Sequence, residues 1–319
     1  MDLKEGAHFV GAFASFPVQA KTRHVEILRS FLALEDKLSF KRIRFGPVQG
    51  HLTTGSFSEE RLRSALDSLE HGESDYLQLF PNKVGEDWVR AYETLIFIDW
   101  NSSVRAANAA SSPVTQRFGD AGSIRIGYPQ SRFFIGSESP FQKQLLTLIR
   151  RLWTENDLHW AFIHQGFHPL RPYSIGQDDV FRATRDGLPI TSFDHNLAVP
   201  LGIHREYVGG AFWANCLNAF HVSRLGGVDK ILQERPCQII ERLSKEGMLL
   251  QVAASPLTND PARSITKYQQ LRRFLKPILM ETGEDMMRIQ KEILGSWKPP
   301  ADAERKWQED LAVIRKQYP

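Results

Sequence analysis

Residues 209–252 constrain the fold more than any other part of this chain. Gly209-Gly210 mark a turn, Ala211-Phe212-Trp213 follow, and Ala214-Asn215-Cys216-Leu217 leads to a short helical pattern closed by Gly226-Gly227. Asn218 can cap that helix over Phe220, Val222 and Leu225, with the two glycines as its stop. Gly247 then introduces Met248-Leu249-Leu250-Gln251-Val252, an apolar run of strand length. Ile239-Ile240 is a partner strand, with Lys245-Glu246-Gly247 as the hairpin turn. Trp213, next to Phe212 and among small residues, is expected to be structural.

The rest of the chain mixes both kinds of element. Val25, Leu28, Phe31, Leu32 and Leu38 stand at helical spacing over residues 22–39. Ser58-Glu59-Glu60 starts a second helix that Gly72 ends, and Ser139-Pro140 with Gln142 starts a third, running to Trp153. Strands are predicted within residues 9–16 and at 41–45, 76–80, 94–98, 124–128 and 160–163. Residues 101–122 and 166–203 read as long loops, the second interrupted by a short helix near 178–185. Helices follow at 265–279, with Pro277 bending or ending it, and at 284–295 and 302–317. Strands and helices do not alternate strictly, so the class is α+β: mixed or antiparallel sheets flanked by helices, with a helical C-terminal extension. The expected division is an α+β domain over 1–281, with two halves meeting near 130–140, and an extension over 282–319.

Composition narrows the function by exclusion. The 319 residues carry a net charge of +3, too little to argue for nucleic acid. Cys216 and Cys237 are the only cysteines, which is no disulfide framework, and both are expected to be reduced, buried thiols. Residues 6–20 are apolar like a signal core, but Asp2 and Glu5 make the start acidic, and no run approaches a membrane span. A cytoplasmic protein is expected, with neither membrane nor nucleic acid as partner.

Chemical motifs are scarce. The chain has no phosphate loop, dinucleotide fingerprint, His-Glu-x-x-His, Cys-x-x-Cys or Gly-x-Ser-x-Gly. His159, His164 and His168 form a cluster, with His195 and His204 further on. On an extended strand His159 and His164 face opposite sides, and His164 and His168 stand about 13 Å apart, too far for one ion. A turn at Gly166 would bring them together, so a metal site stays open as the alternative to ordinary imidazoles. No metal, cofactor or catalytic residue is expected. Asp178, Asp179, Asp186 and Asp194 supply carboxylates that either cap helices, form a charged surface, or serve a hydrolase with the histidines. Arg171, Tyr173, Asp178, Asp179, Arg182 and Arg185 are candidates for binding a partner, because this long stretch combines hot-spot residue types.

The segment Gly210-x-Phe212-Trp213-x-x-x-Leu217, then His221-Val222-x-x-Leu225-Gly226-Gly227, then residues 247–252 and Pro256, resembles the C-terminal half of a bacterial superfamily. These are the immunity proteins of type VI-secreted and other polymorphic toxins. The match lies mainly over 204–257. The resemblance implies a cytoplasmic protein, not an enzyme, that binds a cognate toxin and neutralises it by stoichiometric inhibition. A metal-dependent or acid–base hydrolase using His159, His164, His168 and the Asp178–His195 region is the alternative, and a non-catalytic scaffold or adaptor is another.

Overall fold

The longest strand holds the centre of a single sheet. In the computed structural model, the described residues are 6–17, 21–34, 40–47, 51–74, 76–80, 95–99, 121–169, 201–258, 261–280, 285, 288–289 and 291–292. Strand β1 (Gly6–Pro17) pairs antiparallel with β6 (Ala121–Pro129) on one side and β7 (Trp160–Pro169) on the other. Beyond β6 lie β5 (Leu95–Asp99), β4 (Tyr76–Phe80), β2 (Arg42–Gly46) and the edge strand β3 (Thr53–Ser56). Beyond β7 lie β8 (Ala214–Leu217), β10 (Met248–Gln251) and the opposite edge β9 (Ile239–Arg242). Each pairing is antiparallel, and the described residues form one ten-stranded sheet.

Residues directly opposite in an antiparallel pair share a face. Ala14, Ala161, Cys216, Leu249 and Glu241 therefore line one face in successive register. Helix α3 (Pro140–Glu155) lies on it, since Arg150 holds Glu241 with two nitrogens, Nη2 at 2.7 Å. Leu145, Leu148, Ile149 and Leu152 of α3 are buried at helical spacing, as the sequence stripe requires. Helix α1 (Lys21–Leu32) packs against α2 (Glu59–His71) and α3.

The helix ends follow their signals. Ser58 Oγ accepts from Arg61 N–H and Ser139 Oγ from Gln142 N–H, so both serines are N-caps. Gly72 ends α2 at φ 75°, a left-handed geometry that glycine adopts without a side-chain clash. The β9–β10 hairpin turns through Lys245 and Glu246 at φ 55° and 59°, with Gly247 N–H donating to Ser244 O. A Cβ at Gly247 would meet Trp153 Nε1 at 2.6 Å, so this turn is pressed onto α3.

The other face carries Phe13, Phe162, Asn215 and Leu250, with Trp160 and His164 two residues either side of Phe162. The C-terminal part of the chain roofs this face. A 3-10 turn (Leu201–Arg205) touches β1 and β6, and Phe212 stacks on Phe162 with centroids 3.9 Å apart. Helices α4 (Ala219–Arg224), α5 (Val228–Glu234) and α6 (Pro261–Leu275) follow. After α6 the chain returns to residue 208: Val208 N–H donates to Ile278 O and Met280 N–H to Val208 O, both at 2.9 Å.

The α+β expectation holds for the described residues. β3 was not anticipated, because Thr53-Thr54-Gly55-Ser56 has no apolar alternation and all three of its side chains are exposed. The helix expected to 279 ends at Leu275, and Cys237 is only partly buried. The chain divides into two compact units, 1–281 and 282–319. In the second, Arg288 pairs with Asp285 and Glu292 at helical spacings. The expected helix 302–317, the 178–185 helix and most of the 101–122 loop fall outside the described residues.

Trp213 has no exposed surface, donates from Nε1 to Ala253 O at 2.9 Å, and accepts at its carbonyl from Val252 N–H at 2.8 Å. Trp213→Ala should lower unfolding free energy by about 3–5 kcal/mol through the cavity it leaves. Chemical denaturation checks this, and an unchanged midpoint and slope would contradict it.

Candidate functional site

The roof is held by imidazoles and aromatic rings. On β7, Trp160 and Phe162 alternate with residues facing α3, and Phe13 sits opposite Phe162. Phe13 lies 5.4 Å from Trp160 and 5.1 Å from Phe162, and Trp160 lies 4.7 Å from the His204 ring. His164 packs against Phe212 at 5.3 Å and Tyr268 of α6 at 5.4 Å. Aromatic pairs at these separations each add about 0.5–1.5 kcal/mol beyond burial. This layer joins β1 and β7 to the 3-10 turn, to Phe212 and to α6.

His164 also bonds to the backbone of the aromatic segment. Its Nδ1 accepts the Trp213 N–H at 3.2 Å, which requires a neutral ring. Burial holds its pKa down to about 3, with the Arg272 charge acting in the same direction. His221 is the reciprocal partner in a helix cap: Asn218 Oδ1 accepts its N–H at 3.0 Å, and its Nδ1 accepts the Asn218 N–H at 3.3 Å. An imidazole thus does what Glu or Gln does in a common capping box. Its pKa is lowered to about 3 by burial, then by His204, His159 and Arg224. His159 is lowered to about 4, first by burial and then by Arg205.

The structure therefore regroups the histidines. His159 lies before β7 and falls in with His204 and His221, whereas His164 sits further along β7 in the aromatic layer. The face alternation expected of a strand does not apply to His159, because it precedes the strand. His168 lies on β7 opposite Ala7. Among the described residues no group of three His, Cys, Asp or Glu is placed to hold a metal ion. Burial pushes both thiols, Cys216 and Cys237, up to about 12, which makes neither a nucleophile at neutral pH.

Arg171, Tyr173, Asp178, Asp179, Arg182 and Arg185 lie outside the described residues, as do Asp186, Asp194 and His195. Exposed large apolar side chains among the described residues are Phe134 (51%), Ile135 (55%), Phe220 (47%) and Leu232 (40%). In the sequence Phe220 is marked only as part of the helix that Asn218 caps. Its exposure and its partner Arg205 depend on contacts across 15 residues that periodicity does not encode.

A family model named TsiV, described as type VI immunity for VRR-NUC, matches residues 198–308. The C-terminal third of the chain is thus similar to a type VI immunity family. The match starts just before the 3-10 turn and takes in that turn, β8, α4, α5, the β9–β10 hairpin and α6. The resemblance noted over 204–257 falls inside it. The chain also resembles in fold the "Pseudomonas aeruginosa T6SS protein PA0821", at 15% identity and TM-score 0.55, over 94% of this chain and 89% of that one. No curated protein matches it by sequence. None of the described helices is long and apolar enough to cross a membrane.

The buried histidines give the fold an acid limit. His159, His164 and His221 are neutral when folded and titrate near 6.5 when unfolded. Their stabilisation is complete above about pH 6.5 and is lost as pH falls from there toward the folded values, because the unfolded chain takes up the protons first. Each contributes a slope of up to about 1.4 kcal/mol per pH unit. Urea unfolding between pH 8 and 5 should show stability falling below about pH 6.5. His164→Gln, which keeps an acceptor for Trp213 N–H, should make that fall shallower. A flat profile in the native protein would contradict the assignment.

Proposed function

We propose that this chain is an immunity protein that neutralises its toxin by stoichiometric binding, one chain blocking one toxin active site. The match of residues 198–308 to a family described as immunity for VRR-NUC supports this most directly, and makes a VRR-NUC toxin the partner. The matched segment includes the roof elements between residues 201 and 280, where His221 is a buried, neutral helix-cap partner. In this reading the protein works in the cytoplasm, is not an enzyme, and needs no cofactor. The described histidines favour this over the hydrolase reading: His164 and His221 are engaged in backbone bonds as neutral acceptors, which fits structural work rather than proton transfer.

Residues 167–204 are the candidate contact surface, on the strength of Arg171, Tyr173, Asp178, Asp179, Arg182 and Arg185. Co-expression with the VRR-NUC toxin of the same genome should rescue growth, and the purified pair should run as a 1:1 complex by light scattering. Rescue without any isolable complex would overturn stoichiometric inhibition. Arg171→Ala with Tyr173→Ala should weaken binding by more than about 2 kcal/mol with little change in melting temperature. Unchanged affinity in calorimetry would remove this stretch from the interface.

A further inference from the structure

We propose that the stacked pair Arg205–Phe220 is an anchor for an acidic residue of the toxin; this rests on the stoichiometric reading above. Phe220 is the second residue of α4 and its ring is exposed. Arg205 ends the 3-10 turn, and its guanidinium carbon lies 5.0 Å from the centre of the Phe220 ring. A guanidinium over a ring face is a cation–π contact, and its N–H groups remain donors to which a carboxylate can bind.

Among the described residues no carboxylate forms an ion pair with Arg205: the adjacent Glu206 pairs with Arg224 at 3.6 Å, and Asp157 pairs with Lys245. Arg205 is exposed, and its charge already acts on His159 by lowering its pKa. An uncompensated cation on a chain with a net charge of +3 is electrostatically matched to an acidic surface.

The backbone beneath the pair is fixed. Asn218 Nδ2 donates to Arg205 O at 2.9 Å and to His159 O at 2.7 Å, which ties the 3-10 turn to the start of β7. The same Asn218 caps the helix that carries Phe220. Tyr207 is fully buried and its hydroxyl accepts from Arg224 Nη1 at 3.1 Å. A side-chain pair held on such a base loses little freedom on binding, and Arg beside an aromatic is a typical hot-spot pairing. The whole arrangement lies in the segment that matches the immunity family. The other exposed apolar pair, Phe134 and Ile135, makes no comparable site, because the nearby Arg132 is stacked on Phe141 instead.

Calorimetry of the full chain against the purified VRR-NUC toxin of the same genome, at low and high salt, tests this. Arg205→Ala should weaken affinity by at least about tenfold and flatten its salt dependence. Arg205→Lys should keep the salt dependence and recover little of the affinity, since the planar fork is gone. Phe220→Ala should cost about tenfold with the salt dependence intact. Melting temperatures of the Arg205 variants should match the parent, as the side chain is exposed. Affinities within about twofold of the parent in all three variants would overturn the anchor while leaving stoichiometric inhibition standing. A parent that does not bind the toxin overturns both. Loss of binding to a labelled DNA duplex in Arg205→Ala, with toxin affinity unchanged, would assign the pair to nucleic acid and overturn the proposal.

Discussion

The stack of Phe212 on Phe162 decides how this molecule is put together. It brings a loop residue within 3.9 Å of a central strand, and it works only if both side chains reach the same face. The register of β1 on β7 puts Phe162 there, opposite Phe13, and the His164–Trp213 bond fixes the residue after Phe212. Once Phe212 is seated, the chain must leave the face in both directions. Upstream it forms the 3-10 turn over β1 and β6; downstream it enters the sheet as β8. The sheet and its roof are therefore a single packing problem.

Histidine suits this position for a physical reason. A buried ring that must fill space and also accept one backbone N–H can be a neutral imidazole, whereas a carboxylate there would bring a charge into an apolar layer. His164 and His221 both meet that need, each towards a different N–H. Depressed pKa values are often taken to flag a catalytic site, but here burial is the first cause for each ring. The same side chains thus explain both the rigidity of the roof and its sensitivity to acid.

Much of the local structure could be read from the chain, and much of its assembly could not. Ser58, Ser139, Gly72, Asn218 and Gly226-Gly227 announced helix ends, because capping is settled within four residues. The β9–β10 hairpin was legible for the same reason. The strand order was not: nothing in residues 6–17 says that their neighbours will be 121–129 and 160–169. β3 escaped because a polar edge strand lacks the apolar alternation that marks a half-buried one. The histidine roles escaped as well, since spacing along the chain grouped His159 with His164, while folding grouped it with His204 and His221. The 167–204 stretch was picked out by its residue types and length alone. The Arg205–Phe220 pair became visible only when a turn and a helix 15 residues apart were brought side by side.

The proposal to be tested is that residues 167–204 and the Arg205–Phe220 pair contact the toxin. Hydrogen exchange of the protein, alone and saturated with a VRR-NUC toxin, tests it most directly. The account predicts added protection in residues 167–207 and 218–224, with β3 and α2 at the far side of the sheet unchanged. Added protection confined to β3 and α2, or none at saturation, would contradict it.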